Sequence, residues 1–97
     1  MLNEQLLNPK SIVIIGGSNN INKPGGKIVK NIIDGGYQGV LNVVNPKYNN
    51  IQGLPCFSSV NDIPKTDLAI LAIPAKDCLD AITILAKKKN NKAFIII

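Results

Sequence analysis

The sequence predicts one small α/β domain, built as a parallel sheet with helices on both faces. Three observations predict it. Four short runs of mostly β-branched apolar residues, at 10–15, 40–44, 68–73 and 93–97, lack the alternation of half-solvated strands, as parallel strands covered on both sides do. Between them lie segments whose apolar residues recur at helical spacing. The junctions carry Gly, Pro or Asn, the residues that end strands and helices. At 97 residues and 45% hydrophobic, the chain can bury one core and has no room for a second domain.

The first run, ending in Ile12, Val13, Ile14 and Ile15, stops at Gly16, Gly17 and Ser18 and reads as a buried strand. Gly25 and Gly26 open a segment with Ile28, Val29, Ile32 and Ile33 on one helical face, and Gly35 and Gly36 supply a left-handed stop. Residues 40–44 form the second strand, broken by Asn45 and Pro46. Residues 47–66 are polar and punctuated by Gly53, Pro55 and Pro64, with a short third strand at Cys56 and Phe57. The run at 68–73 is a strand ended by Pro74, and Leu79, Ile82, Leu85 and Ala86 mark a helix over 75–89. Its acids, Asp77 and Asp80, come early and its lysines, Lys87, Lys88 and Lys89, come late, as the helix dipole favours. Asn90 and Asn91 turn the chain into a last strand at 93–97. Right-handed crossovers between these elements give a Rossmann-like sheet of order 3-2-1-4-5, with any ligand at the carboxyl ends near strand one. A chain that stays apolar through Ile97 is expected to be the front part of a longer protein, residues 1–97 being its first domain.

Composition excludes several chemistries. The chain has no His, which removes Ser–His and Cys–His nucleophiles, histidine metal ligands and a phosphohistidine of its own. Cys56 and Cys78 are too few for a zinc site or a disulfide framework and read as plain thiols. The net charge is +5, yet all eleven basic residues are Lys, scattered apart from the run at 87–89, and aromatic residues are scarce. Nucleic acid is therefore not the expected partner. No apolar run reaches the ~18 residues of a membrane span, and the start, Met1 to Gln5, lacks the order of a secretory signal. The chain reads as a cytoplasmic domain with no catalytic residue and no metal.

Three loops at the carboxyl ends of strands carry the candidate site. The first holds Gly16, Gly17, Ser18 and Asn19 and runs through Lys23, Pro24 and Gly25 into the helix. Glycines let the backbone approach a phosphate, and a helix N-terminus offers free N–H groups and a positive dipole. Read alone it is also an ordinary Gly-rich turn; it fits neither G-x-G-x-x-G nor a Walker A loop, since Ile28 follows Lys27. The second loop is Asn45, Pro46, Lys47 and Tyr48. NAD-binding sheets place an acid near this point to hold the ribose, so a lysine here favours an additional ribose phosphate. Alone it is equally an Asn-Pro turn with a solvated lysine. The third loop, Ile73, Pro74 and Ala75, means little by itself.

Taken together the loops resemble the coenzyme A-binding domain at the front of NDP-forming acyl-CoA synthetases, related to the α subunit of succinyl-CoA synthetase. The matching stretches are residues 8–18, 23–28, 43–48, 51–56 and 67–75, and the resemblance runs from about residue 8 to 97. It implies that Gly17, Ser18, Asn19, Lys23 and Pro24 hold the CoA phosphates. Asn45, Pro46 and Lys47 would contact the nucleotide end, and Ile73, Pro74 and Ala75 would line the adenine side. Gly17 departs from the alanine common in relatives. The resemblance further implies coenzyme A as cofactor, and partners elsewhere: a phosphorylated histidine in a following domain and an ATP-grasp part beyond it, in the same chain or in other subunits. The alternatives are a stand-alone CoA-binding or regulatory module and an NADP-binding half-domain of an oxidoreductase.

Overall fold

Ile12 and Ile14 turn to one side of the first strand, Val13 and Ile15 to the other, and all four are buried. In the computed structural model, which describes residues 9–88 and 93–97, this strand is β1 (Ser11–Ile15) at the centre of the sheet. It pairs in parallel with β2 (Val40–Val44) on one side and β5 (Leu68–Leu71) on the other. The expected turn at Asn90 and Asn91, together with Lys89, Asn8 and Met1 to Gln5, lies outside the described residues.

Each face of the sheet takes one described helix. α1 (Pro24–Asp34) inserts Val29 against Ile12, Ile14, Val43 and Ile70, and α2 (Ala75–Lys88) lays Cys78, Ala81 and Leu85 on Val13, Ile15, Ala69 and Leu71. This two-sided cover is why the strand runs are apolar without alternation. α1 begins at Pro24, one residue before the expected glycines, because proline suits a first helical position whose N–H has no partner. It ends as expected: Gly36 takes φ +76°, and its amide and that of Tyr37 return to the carbonyls of Ile33 and Ile32.

The sheet order is β3-β4-β2-β1-β5-β6, with β4 at Leu54–Phe57 and β6 at Ala93–Ile96. Its five parallel strands therefore follow the expected 3-2-1-4-5 order, and the fold is Rossmann-like. The structure adds a sixth strand, β3 (Asn50–Ile51), antiparallel to β4. Residues 47–66 are thus more ordered than their polarity suggests. Gln52 and Gly53, at φ 51° and 84°, make the tight hairpin turn between β3 and β4, since paired positive φ values match the twist of the strands. Beyond it, a 3-10 turn at Val60–Asp62 tucks Val60 and Ile63 into the core on the α2 side. β5 stops at Leu71, two residues before the expected Ile73, although the Ala72 amide still reaches the Ile15 carbonyl at 2.8 Å.

At the opposite end of the sheet from the loops that follow β1 and β2, the half-buried Tyr37 donates its hydroxyl to the Pro9 carbonyl at 2.9 Å. Burial, with the charge of Asp67 adding to it, pushes the phenol's pKa up. The fold thus favours the neutral phenol. Its contribution is intact below tyrosine's ordinary pKa of about 10 and is lost as pH rises through the raised value. Tyr37→Phe is expected to lower stability at neutral pH by about 0.5–1.5 kcal/mol, one neutral hydrogen bond. It should also flatten the fall in Tm above about pH 10. Calorimetric scans of both proteins from neutral to alkaline pH check the two effects.

Candidate functional site

β2, β1 and β5 are adjacent, parallel and end level, so the segments that follow them emerge side by side. Each is tied down by one further ladder bond: Gly16 N–H to Val44 O at 2.9 Å, Asn45 N–H to Phe57 O at 3.0 Å, and Ala72 N–H to Ile15 O at 2.8 Å. The chain leaves β1 in one direction towards β2 and reaches β5 in the other, which makes this the switch point where open α/β sheets bind ligands.

The first loop is packed backbone against backbone. A Cβ on Gly25 would collide with the Gly16 carbonyl oxygen, and both Gly25 and Gly26 are buried. Only a residue without a side chain lets the start of α1 sit this close to the end of β1. The helix start is also open electrically. Lys23 at the cap position supplies no side-chain hydrogen bond, Pro24 has no N–H, and the first turn contains no acid, so neither cap nor first turn answers the positive end of the dipole.

Side chains hold the neighbouring loops in place around it. Asn45 spans two of them: its Nδ2 donates to the Gly17 carbonyl at 2.9 Å and its Oδ1 accepts from the Lys47 amide at 2.9 Å. Ser18 Oγ accepts from the Asn20 amide at 2.9 Å, and Asn20 Oδ1 from the Asn22 amide at 3.0 Å. From the β3–β4 hairpin, Gln52 reaches across. Its amide N–H donates to Asn19 Oδ1 at 2.8 Å, and its Nε2 donates to the carbonyls of Ser18 at 2.8 Å and Gly26 at 3.1 Å.

Between the first two loops lies an open cleft of ≈ 560 Å³, lined by Ser18, Asn19, Asn20, Lys23, Asn45, Pro46, Lys47 and Tyr48. It contains two lysines and no carboxylate, and among the described residues neither lysine has an ion-pair partner. The cleft is therefore positive and lined by donors, suited to an anionic ligand. Cys56 lies beside it, its Sγ 3.5 Å from the Asn45 carbonyl, and burial pushes the thiol's pKa up. Among the described residues no group of acids or cysteines could hold a metal.

Of the residues singled out from sequence, Ser18, Asn19, Lys23, Asn45, Pro46 and Lys47 meet in this cleft. Gly16, Gly17, Pro24 and Gly25 stand behind it, as the packing that shapes the loop and the helix start. Ile73, Pro74 and Ala75 lie at the next strand end, where the Ile73 side chain borders Gly16, and are not part of the lining. Tyr48, placed in the second loop but not among the expected binding residues, also lines the cleft. Sequence reasoning missed Asn20 and Gln52 as site residues: Asn20 is a chain neighbour of a named residue, and Gln52 announced itself only as the residue before a turn glycine.

Residues 10–97 match the family model described as CoA binding domain. The chain belongs to the CoA-binding domain family. Among curated relatives, the ADP-forming acetate–CoA ligase II of Archaeoglobus fulgidus is 39% identical over 92 residues, covering 94% of this chain and 14% of that protein. The α subunit of ADP-forming acetate–CoA ligase I from Pyrococcus furiosus is 40% identical over 78 residues, 75% of this chain and 17% of its own length. Among solved structures, a dinucleotide-forming acetyl-coenzyme A synthetase 1 of Ca. Korarchaeum cryptofilum, in complex with phosphate and ADP, superposes with a TM-score of 0.84 at 33% identity. It covers 93% of this chain and 20% of that one. This CoA-binding domain is thus homologous to one segment of ADP-forming acyl-CoA ligases and spans a small part of their length. Among its described residues no helix is long and apolar enough to cross a membrane.

Proposed function

We propose that this CoA-binding domain holds coenzyme A in the cleft for an NDP-forming acyl-CoA synthetase of the cytoplasm. CoA is then a substrate of the reaction (acyl-CoA, NDP and phosphate giving carboxylate, NTP and CoA) and not a resident cofactor. The observation that carries the reading is the pair Lys23 and Lys47, without a carboxylate, across a cleft at the switch point of the sheet.

In this reading the CoA pyrophosphate lies over Gly17, Ser18 and Asn19, met by loop amides, the start of α1 and the Lys23 ammonium. Lys47 meets the ribose phosphate. Asn45 and Pro46 shape the wall between them, and Ile73, Pro74 and Ala75 flank the adenine. The domain positions CoA, and having no histidine it carries no phosphohistidine of its own. The phosphohistidine and the ATP-grasp machinery belong to further domains or subunits of the assembly, and residues 1–97 serve as its front domain.

Titration calorimetry with CoA, NADP and NAD tests the proposal. A lysine–phosphate contact contributes about 1.5–3 kcal/mol when ordered and less where solvent screens it, as at the exposed Lys47. CoA should therefore bind about tenfold more tightly than NAD, which lacks a ribose phosphate. NADP binding more tightly than CoA would instead indicate an oxidoreductase half-domain, and NAD binding as tightly as CoA would overturn the proposal.

A further inference from the structure

Gln52 sits in a conformation that suits it poorly. Its φ of 51° lies in the left-handed region, where glycine and asparagine are at ease and a longer side chain is strained. Strain of this kind persists where the surroundings fix it, and it gathers at binding sites. Here the surroundings are the two-residue β3–β4 turn, which takes positive φ at both positions, and the first loop, which holds the side chain. Across 34 and 26 positions of sequence, the Gln52 side-chain amide donates to the carbonyls of Ser18 and Gly26, and its backbone amide is held by Asn19 Oδ1.

The Ser18 carbonyl shares a trans peptide with the Asn19 amide, so the two point in opposite directions. Holding the carbonyl on Gln52 therefore fixes the direction of the Asn19 N–H, which has no acceptor of its own among the described residues. The Gly26 carbonyl ties the first turn of α1 to the same side chain, although the amide of that peptide, Lys27 N–H, is already bonded to the Lys23 carbonyl at 2.9 Å. One side chain thus sets the placement of the Ser18–Asn19 peptide, beside the cleft, relative to the first turn of α1.

We propose that Gln52 is a positioning residue for anion binding: its amide locks the Ser18–Asn19 peptide to the first turn of α1, presetting the backbone donors for the ligand's pyrophosphate. The proposal rests on the CoA reading of the cleft. Donors that need no reorganisation bind a diphosphate more tightly than donors that must be ordered on binding. It also accounts for glutamine at a position where glycine would relax the turn: the long amide reaches both carbonyls, which glycine cannot.

The test compares wild type with Gln52→Gly, which relieves the backbone and removes the amide, and with Gln52→Glu, which keeps length and shape but replaces the donor by an acceptor. In the unliganded chain, backbone order parameters of Ser18, Asn19 and Asn20 should fall in Gln52→Gly from about 0.85 to below about 0.6, with β1 and β2 unchanged. CoA affinity should drop by about tenfold in Gln52→Gly and at least as far in Gln52→Glu, whose carboxylate faces two carbonyls. The drop should be equal for CoA and dephospho-CoA, because the pyrophosphate is common to both. Unchanged loop order in Gln52→Gly, or Gln52→Glu binding CoA like wild type, overturns the proposal. Loop order that falls in a chain whose wild type binds no CoA supports the positioning role and overturns the CoA reading instead.

Discussion

Gly25→Ala should destabilise the domain by about 2 kcal/mol or more and weaken CoA binding beyond detection. The added methyl meets the Gly16 carbonyl oxygen, which is backbone at the end of the central strand and cannot swing aside like a side chain. Overpacking typically costs about 1–3 kcal/mol, and a backbone obstacle places this site at the upper end. Alanine recovers up to ~1 kcal/mol through its better helix propensity. The clash wins, and for a domain of this size Tm should fall by roughly 8–16 °C. The only relaxation open to the chain moves the start of α1 away from the loop, which separates the donors proposed to share the pyrophosphate. Thermal unfolding and CoA titration on one preparation check both effects. An unchanged Tm would mean that the helix and the strand end are not in contact.

How far the sequence revealed this arrangement depended on whether the signal was local. Ile12, Val13, Ile14 and Ile15 disclosed a strand covered on both faces because four consecutive apolar residues leave no side for water, and α1 and α2 do cover them. The helical face around Val29 and Leu85 and the stop at Gly36 were readable for the same reason. The strand β3 was not, since two residues, Asn50 and Ile51, are too short for a period and one of them is polar. In the site, Lys47 stood out because a cation occupies a point where an acid would hold a ribose. Gln52 did not: its partners lie 26 to 34 residues away, and no spacing rule connects a hairpin tip to a loop at that separation. Asn45 was expected at the ligand, and the structure shows its side chain engaged in joining two loops.

Lys47→Ala is expected to weaken CoA binding by about tenfold and to leave dephospho-CoA nearly untouched. Lys47 is solvent-exposed at the cleft, and no carboxylate among the described residues competes for it, so a ligand phosphate is its natural counterion. Among the described residues its ammonium makes no hydrogen bond or ion pair that the substitution would remove: the Lys47 bond to Asn45 comes from the backbone amide, which alanine retains. A full charged contact of ~3 kcal/mol would give more than a hundredfold, but solvent screening at an exposed lysine brings the expectation nearer tenfold. Raising salt from low to high should shrink the difference, as for any exposed charge pair.

The most direct measurement is therefore calorimetric titration of wild type and Lys47→Ala with CoA and with dephospho-CoA at one ionic strength. The account predicts that wild type prefers CoA over dephospho-CoA by about tenfold and that the preference disappears in Lys47→Ala, with dephospho-CoA affinity the same in both proteins. Equal losses for both ligands, or a CoA preference that survives the substitution, would contradict it.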